Sequence, residues 1–429
     1  MNREEIAARL DEARKRTLAL VEPLNEEDLH RQHDALMSPI IWDLGHIAHF
    51  EELWLVRNLE GPVEFGEMPG TYNPFENPRR VRGQLELPSL DEMKKLMSDI
   101  RADVLKSLES VPVTGDNALL DNGYVYSMVL QHEYQHNETI LQTLQLKQGE
   151  PYRAPRLYAP PSRRITPSGA MASFTGGRVT LGTDDRSAAY DNERPTHERD
   201  VAPFKIDVYP VTNADYLRFM RDGGYTRENL WSEAGWKWRQ ESGAESPKYW
   251  MRDGDAWCVR VMDRVRSVDP SLPVCHVCFH EAEAFARYAG KRLPTETEWE
   301  VAAGWDAEHN RARRFPWGDE PATAERANLD QLSFSVAPVG AYAANWSPLG
   351  CYGLIGDVWE WTSSDFLPYP GYRTFPYPEY SEVFFGNEYK VLRGGSWATR
   401  PGVVRNTFRN WDYPIRRQIF SGFRCARDG

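Results

Sequence analysis

The stretch QHEYQHNE, residues 131–138, places two histidines four residues apart within a run of helical character. Four residues is just over one helical turn, so His132 and His136 leave the same face of the helix. A same-face pair of neutral imidazoles is a much stronger metal-site signal than a lone helical histidine. Glu138 lies about 200° round the helix from His136, which favours a supporting role over ligation. The stretch therefore predicts two metal ligands, and a third must come from another element.

The second helical stretch of the chain, IIWDLGHIAHFEELWLVRN, offers the third ligand. Trp42, His46, His49 and Leu53 recur at helical spacing and share one stripe. Spacing alone does not decide between His46 and His49. Three histidines that leave coordination positions open suit zinc, iron or copper. Zinc would indicate hydrolysis or group transfer and iron would indicate oxygen chemistry, and ligand type alone does not choose between them.

Four amphipathic helices are predicted in the first 150 residues. They cover residues 4–22, a segment that starts with Ser38 as N-cap, a segment opened by the capping box Ser89–Glu92, and residues 122–148. One long connection joins the second helix to the third. This pattern predicts an all-α four-helix bundle over residues 1–150, and bundle cores are common places for metal sites.

The pattern of apolar and polar residues changes after a proline-rich stretch, residues 151–167. We interpret this stretch as a domain linker. Residues 168–429 contain short alternating segments separated by turn residues, with helical patches at 213–221, 280–289 and 296–303. We therefore predict an α+β second domain dominated by irregular structure.

Composition limits the classes of function. The net charge of −12 argues against a nucleic-acid partner, which would need broad phosphate neutralisation. The apolar runs are too short for a bilayer span, and the charged N-terminus has no signal-peptide apolar region. These features favour a cytoplasmic protein without a membrane partner. The five cysteines argue against a disulfide scaffold, and we interpret Cys275 and Cys278 as buried thiols.

Motifs in both halves resemble known families. The N-terminal half, with WDLGHI and H-x-x-x-H-x-E, resembles a DinB-type bundle. The C-terminal half resembles the formylglycine-generating-enzyme (sulfatase-modifying-factor) fold, a C-type-lectin-like domain, in NERPTHERDV, YPVTNADYLRFM, RLPTETEWEVAA, GLIGDVWEWTSS, VLRGGSW and SGFRCARD. A chain with these two domains in this order resembles the ergothioneine-pathway sulfoxide synthases, which are non-haem iron enzymes also called hercynine oxygenases. The resemblance covers nearly the whole chain.

This resemblance implies a chemistry and a metal. It implies an iron(II) centre at His46, His132 and His136, with O2 as co-substrate, and so selects His46 over His49. It implies that Tyr377, in FPYPEYSEVFF, is a catalytic proton donor. Formylglycine generation itself is not expected, because that activity needs a cysteine pair in the C-terminal region and GSWATRPGVVRNTFRNW carries no cysteine.

The resemblance also implies two substrates, hercynine and γ-glutamylcysteine, and a set of residues that bind them. The residues implied for hercynine are Gln135, Tyr380, Asn410 and Trp411. Those implied for the charged groups of the thiol donor are Arg79, Arg82, Asp412 and Arg416. Elementary chemistry agrees with these roles, since guanidinium forks suit carboxylates, a carboxylate suits an ammonium group, and an indole face suits a trimethylammonium cation.

Other readings of the sequence remain open. The same chemistry could use cysteine or a selenosugar as donor, and one sequence does not settle donor choice. A DinB-type zinc thiol transferase would use the same histidines. A non-catalytic binding module with a structural metal is disfavoured, because structural sites are normally closed by a fourth protein ligand.

Overall fold

The computed structural model describes residues 1–59, 70–113, 117–155, 158–163, 165 and 169–429, so the proposed linker at 151–167 lies partly outside the described residues. The chain divides into two compact units. The helical unit comprises Met1–Arg153 with two short later segments, Asp185–Tyr190 and Thr374–Pro378. The second unit comprises Ala154–Asp184, Asp191–Arg373 and Glu379–Gly429.

Four long helices and one short helix build the helical unit. They are α1 (Arg3–Val21), α2 (Glu26–His30), α3 (Ile40–Glu52), α4 (Leu90–Ser110) and α5 (Tyr124–Leu146). Helix α3 continues into a π-helical turn, Leu53–Arg57. Apolar residues of α1, α3, α4 and α5 are buried at helical spacing, which is the bundle that the sequence predicts.

The predicted start of α4 is confirmed and that of α3 is corrected. Ser89 caps α4, and Ser89 and Glu92 form both hydrogen bonds of a capping box. Helix α3 has Pro39 as its N-cap, with no side-chain capping bond. Ser38 is not the cap because the helix begins at Ile40, one residue later than predicted; the Ser38 hydroxyl accepts a hydrogen bond from Arg82 Nη1 (2.7 Å).

The second unit is α+β, as predicted. Its helices are α6 (Asn213–Arg221), α7 (Glu233–Ser242), α8 (Phe279–Tyr288) and α9 (Glu296–Gly304). Its strands are β1 (Met171–Phe174), β2 (Gly177–Leu181), β3 (His197–Val201), β4 (Phe204–Asp207), β5 (Trp250–Asp253), β6 (Ala256–Val261), β7 (Arg264–Ser267), β8 (Trp305–Asp306), β9 (Arg311–Ala312), β10 (Trp359–Phe366), β11 (Gly386–Arg393), β12 (Asn410–Asp412), β13 (Ser421–Gly422) and β14 (Ala426–Asp428).

The strands form several small sheets. The orders are β1-β4-β14, β12-β11-β10-β13, β2-β3, β5-β6-β7 and β8-β9. In the four-stranded sheet β11 pairs antiparallel with β12, so that Trp411 lies opposite Val391 and Asp412 opposite Lys390. An apolar core around Trp299, Phe204 and Leu354 supports these short strands. The sheet thus fixes the backbone that carries residues 410–412.

Two further sequence expectations concern thiols and membranes. None of the five cysteines forms a disulfide; Cys278 is buried as predicted, whereas Cys275 is only partly buried. Burial raises the pKa of the Cys278 thiol well above its usual value. Among the described residues, every helix falls short of the length and apolar character that a bilayer crossing requires.

Candidate functional site: a cluster of three histidines

His46 of α3 and His132 and His136 of α5 meet inside the helical unit. One ring nitrogen from each lies within 4.8 Å of the others. The Nε2 atoms of His46 and His132 are 3.2 Å apart. The helical spacing of the pair on α5 brings two rings to one face, and the packing of α3 against α5 brings the third. The structure therefore gathers the three predicted metal ligands into one cluster.

The backbone fixes the orientation of the His46 ring. Its Nδ1–H donates to the carbonyl oxygen of Tyr72 (2.9 Å), and because a carbonyl only accepts, the proton must reside on Nδ1. The Nε2 lone pair consequently faces the cluster. Tyr72 approaches this closely because residue 45 is glycine: a side chain there would collide with the Tyr72 ring. The Trp42 ring stacks on the other side of His46 (5.1 Å between centroids).

Burial favours the neutral form of two of the three histidines. Desolvation, followed by the neighbouring His136, lowers the pKa of His46 and of His132 well below the usual value. Neutral imidazoles with inward lone pairs are what a metal ion needs, and three nitrogen donors suit zinc, iron or copper. The residues present therefore fit a mononuclear metal site.

His136 faces an acidic residue that the sequence interpretation did not single out. Its Nδ1 lies 3.5 Å from Oδ1 of Asp43, whose side chain is buried. Among the described residues neither His136 Nδ1 nor Asp43 Oδ2 has a hydrogen-bond partner. The signal that could have found Asp43 is its position three residues before His46 within an otherwise apolar stretch, because residues at i and i+3 share a helix face.

The alternative ligand, His49, lies outside the cluster. Its Nδ1 donates to the carbonyl of Gly45 in the preceding turn (2.9 Å), and its ring stacks on Tyr72 (4.6 Å between centroids). Spacing along α3 left His46 and His49 equivalent. The two side chains differ in their tertiary contacts, which spacing along the helix does not predict.

Tyr377 belongs to the helical unit, although it lies far along the sequence. It is buried, and its ring contacts those of Phe50 and Trp54, with 6.2 Å and 5.0 Å between ring centroids respectively. Phe50 stacks face to face on His132 with 3.6 Å between ring centroids. A single aromatic ring thus separates Tyr377 from a cluster histidine.

The other predicted substrate residues of the helical unit differ in exposure. Gln135 donates from Nε2 to the Tyr190 hydroxyl (2.9 Å). Arg79 is exposed, whereas Arg82 is 5% exposed and its guanidinium lies 3.5 Å from the centre of the Trp42 ring. Burial lowers the pKa of Arg82 to about 10, a shift that the charge of Asp43 opposes.

The remaining predicted substrate residues form a group within the second unit. Trp411 stacks on Phe366 (4.0 Å between centroids) and meets the Tyr380 ring edge-on (5.8 Å). The Asn410 side chain accepts from the backbone N–H of Trp411 (2.9 Å). Arg416 Nε lies 3.2 Å from Asp412 Oδ1. The structure thus brings these residues together along and beside β12.

Comparison with known proteins gives this architecture a family. The pattern of the DinB superfamily matches residues 9–140, and that of the sulfatase-modifying factor enzyme 1-like domain matches residues 158–429. The Hercynine oxygenase of Mycolicibacterium thermoresistibile is 44% identical over 441 residues, covering 100% of this chain and 95% of that protein. The Hercynine oxygenase of Mycobacterium tuberculosis is 44% identical, with 99% of each chain covered. This chain belongs to the hercynine oxygenase family.

Membership of the hercynine oxygenase family makes the chain an enzyme of the oxygenase class, and it confirms the resemblance drawn from the sequence motifs. A solved structure, PvdO from Pseudomonas aeruginosa, is 23% identical with a TM-score of 0.42, covering 63% of this chain and 100% of that one.

Proposed function

We propose that this chain is a hercynine oxygenase that uses O2 and iron(II) to join hercynine to γ-glutamylcysteine as a sulfoxide. The observation that carries the proposal is the cluster of three imidazoles, one buried and two partly buried, in a member of this family. His46, His132 and His136 would hold the metal and leave the remaining coordination positions to the reactants. Iron(II) at that place would supply the one-electron chemistry that O2 requires.

The proposed reaction balances without an external reductant. The bond from sulfur to imidazole C2 forms as one C–H and one S–H bond break, which removes two electrons. Adding one oxygen atom to sulfur removes two more. O2 accepts these four electrons: one oxygen atom stays on sulfur, and the other leaves as water with the two hydrogens.

Within this proposal Tyr377 moves a proton. A buried phenol one ring away from His132 is a suitable proton donor to reduced oxygen near the cluster. Its hydroxyl would steer the oxidation toward C–S bond formation and away from simple oxygenation of the thiol. The aromatic surroundings, Phe50 and Trp54, hold the ring in place and exclude water.

The substrate roles proposed for the other residues follow from their chemistry. In the helical unit, Gln135 would contact hercynine, and Arg79 and Arg82 would contact donor carboxylates. In the second unit, Trp411, Tyr380 and Asn410 offer an aromatic and amide surface suited to a trimethylammonium betaine. Asp412 and Arg416 offer a charge of each sign, as a donor with ammonium and carboxylate groups requires.

The test is anaerobic reconstitution with iron(II), followed by O2 uptake and mass spectrometry of the products. Hercynine is supplied with γ-glutamylcysteine in one arm and with cysteine in another. We expect a coupled product with one added oxygen atom in the γ-glutamylcysteine arm. A matched sample reconstituted with zinc controls for metal identity.

Each alternative gives a different result. Product with cysteine alone would keep the chemistry and discard the role of the arginines in donor choice. No product in either arm, despite bound iron, would favour a selenosugar donor. Tight zinc binding without O2 consumption under any condition would favour a thiol transferase and refute the oxygenase proposal.

A further inference from the structure

In each cluster histidine one ring nitrogen faces the cluster and the other is available for a supporting hydrogen bond. The supporting hydrogen bonds differ between His46 and His136. His46 is held by a backbone carbonyl, the Tyr72 oxygen at 2.9 Å. The second nitrogen of His136 is buried, and no hydrogen bond to it is present among the described residues. A buried imidazole N–H without an acceptor is costly, so this atom needs an explanation.

The group that faces this nitrogen is the carboxylate of Asp43, with Oδ1 at 3.5 Å from Nδ1. Asp43 is 1% exposed, and its Oδ2 also lacks a hydrogen-bond partner within the described part of the chain. The buried ring nitrogen thus lies beside a buried carboxylate, one oxygen of which, Oδ1, is its nearest acidic neighbour while the other, Oδ2, is unsatisfied. A carboxylate accepts and a protonated ring nitrogen donates, so the pair is chemically complementary.

Asp43 and His46 stand at i and i+3 on α3, so the same helical face that offers one ligand also offers the carboxylate for another. Helix α5 contributes His136 from the opposite side. The arrangement means that one turn of α3 touches two of the three histidines: His46 directly, and His136 through Asp43.

We propose that Asp43 is a positioning residue of the metal centre: its carboxylate accepts the Nδ1 proton of His136 and so presents the Nε2 lone pair to the cluster. The inference rests on the proposed metal centre and adds a residue to it. A metal-bound imidazole donates its other N–H more strongly, so a bound metal would strengthen this contact. Carboxylate partners of this kind orient the ring and raise its basicity as a ligand.

The alternative is that Asp43 only neutralises the buried Arg82, whose pKa its charge raises. In that case removal of the carboxylate would destabilise the fold and leave the affinity for metal unchanged. The two roles therefore separate in a binding measurement on folded protein, with no substrate present.

The experiment is titration of the metal-free full chain with Co(II) and with Zn(II), in the native protein and in Asp43→Ala and Asp43→Asn. Glu133→Gln is the matched control, because Glu133 is equally buried and adjacent to His132, yet its carboxylate accepts from Thr17 and Arg14 instead. We expect Asp43→Ala to weaken metal binding by about 10–100-fold. Asp43→Asn, whose amide oxygen still accepts, should lose less, and Glu133→Gln should bind as the native chain does.

A spectroscopic readout distinguishes positioning from general destabilisation. In the zinc-loaded chain with 15N-labelled histidine, the Nδ1 proton of His136 should resonate as a protected signal that disappears in His136→Gln. Asp43→Ala should lose this protection. Native affinity and an intact signal in the folded Asp43→Ala, or in Asp43→Leu if the alanine variant does not fold, would overturn the inference alone. Absence of metal binding in the native chain would overturn the metal centre with it.

Discussion

At the scale of single residues, the three cluster histidines have different supports. A backbone carbonyl orients His46, whereas the Phe50 ring stacks on His132 at 3.6 Å between centroids. Phe50 also contacts Tyr377, so the ring that supports a proposed ligand also supports the proposed proton donor. Changes at Tyr377 that preserve the ring should therefore alter chemistry without altering the cluster.

Tyr377→Phe is the smallest such change. It keeps the ring contacts with Phe50 and Trp54 and removes only the hydroxyl. If the hydroxyl delivers the proton that directs C–S coupling, the variant should divert flux to the sulfinate of the thiol donor while O2 uptake continues. Mass spectrometry of both products, with O2 uptake in parallel, measures the ratio.

Tyr126→Phe is the matched control for Tyr377→Phe. Tyr126 is a buried tyrosine of α5 whose hydroxyl has no hydrogen-bond partner among the described residues. Its removal should leave the product ratio unchanged. An unaltered ratio in Tyr377→Phe as well would show that this hydroxyl does not steer the reaction.

A second prediction at this scale concerns the exposed Arg79. If its guanidinium binds a donor carboxylate, Arg79→Gln should raise KM for γ-glutamylcysteine by about tenfold or more, since a charge-assisted hydrogen bond is worth about 1.5–3 kcal/mol. The kcat should change less, because the contact is remote from the reacting sulfur. Initial rates against donor concentration separate the two constants.

Arg80→Gln provides the comparison, because Arg80 is an exposed neighbour in the same 3-10 turn, Arg79–Gln84. It should keep the native KM. Equal effects of the two substitutions would indicate a general charge effect in place of a specific contact.

The sequence predicted the histidine pair because a helix converts a spacing of four residues into proximity. It did not predict the choice of His46 over His49 from spacing, because the Tyr72 carbonyl that orients His46 comes from a separate loop. Asp43 also went unnoticed, since the significance of a buried carboxylate depends on what another helix places opposite it. Contacts between separate helices and loops cannot be predicted from the spacing of residues along one helix.

At the scale of elements, a buried network of charges ties the helices that carry the histidines. Arg14 of α1 pairs with Glu51 of α3 (2.5 Å) and with Glu133 of α5 (3.1 Å). Arg101 of α4 pairs with Glu51 as well (2.5 Å). All four long helices therefore meet in one network.

Arg14→Met tests this network. The variant leaves Glu51 and Glu133 buried with less compensation, and breaking such a pair from one side costs about 3–5 kcal/mol of the free energy of unfolding. Urea unfolding followed by circular dichroism measures it. Lys15→Met, beside it on the exposed face of α1 and paired with the exposed Asp11, should change the free energy by less than about 1 kcal/mol. Equal stability of Arg14→Met and the native chain would show that this network does not stabilise the bundle.

Elements were predictable where local signals mark them. The capping box at Ser89–Glu92 gave the start of α4, and the patch at 213–221 coincides with α6. The short strands of the second unit were recognisable only as a class, because pairs such as β10 with β13 join residues far apart in sequence. Their register depends on packing around the core, which alternation over a few residues does not specify.

At the scale of the whole molecule, the assignment of segments to units does not follow the order of the sequence. Segment Thr374–Pro378 belongs to the helical unit although the sequence around it belongs to the second unit. Only the family resemblance drew attention to Tyr377, since an isolated tyrosine in an aromatic-rich loop carries no local signal. The second unit contains a buried histidine that is not among the proposed metal ligands.

That histidine is His276 of the second unit, which is 5% exposed and whose Nδ1–H donates to the Arg417 carbonyl (3.2 Å). Burial lowers the pKa of His276 to about 3. An unfolded histidine has a pKa of about 6.5, so the unfolded chain takes up this proton first as the pH falls. The stability due to the neutral ring is complete above about pH 6.5 and is lost toward pH 3, by about 1.4 kcal/mol for each pH unit.

His276→Asn should remove this part of the acid sensitivity. Asparagine tolerates the backbone φ of 66° at this position, and its amide N–H can replace the Nδ1 donor. Urea unfolding at pH 7.5 and 5.5 gives the loss of stability on acidification, which should be smaller in the variant by about 1.4 kcal/mol. An equal loss in His276→Asn and the native chain would mean that the buried ring takes up its proton without unfolding, because the surrounding carbonyls accept the charge.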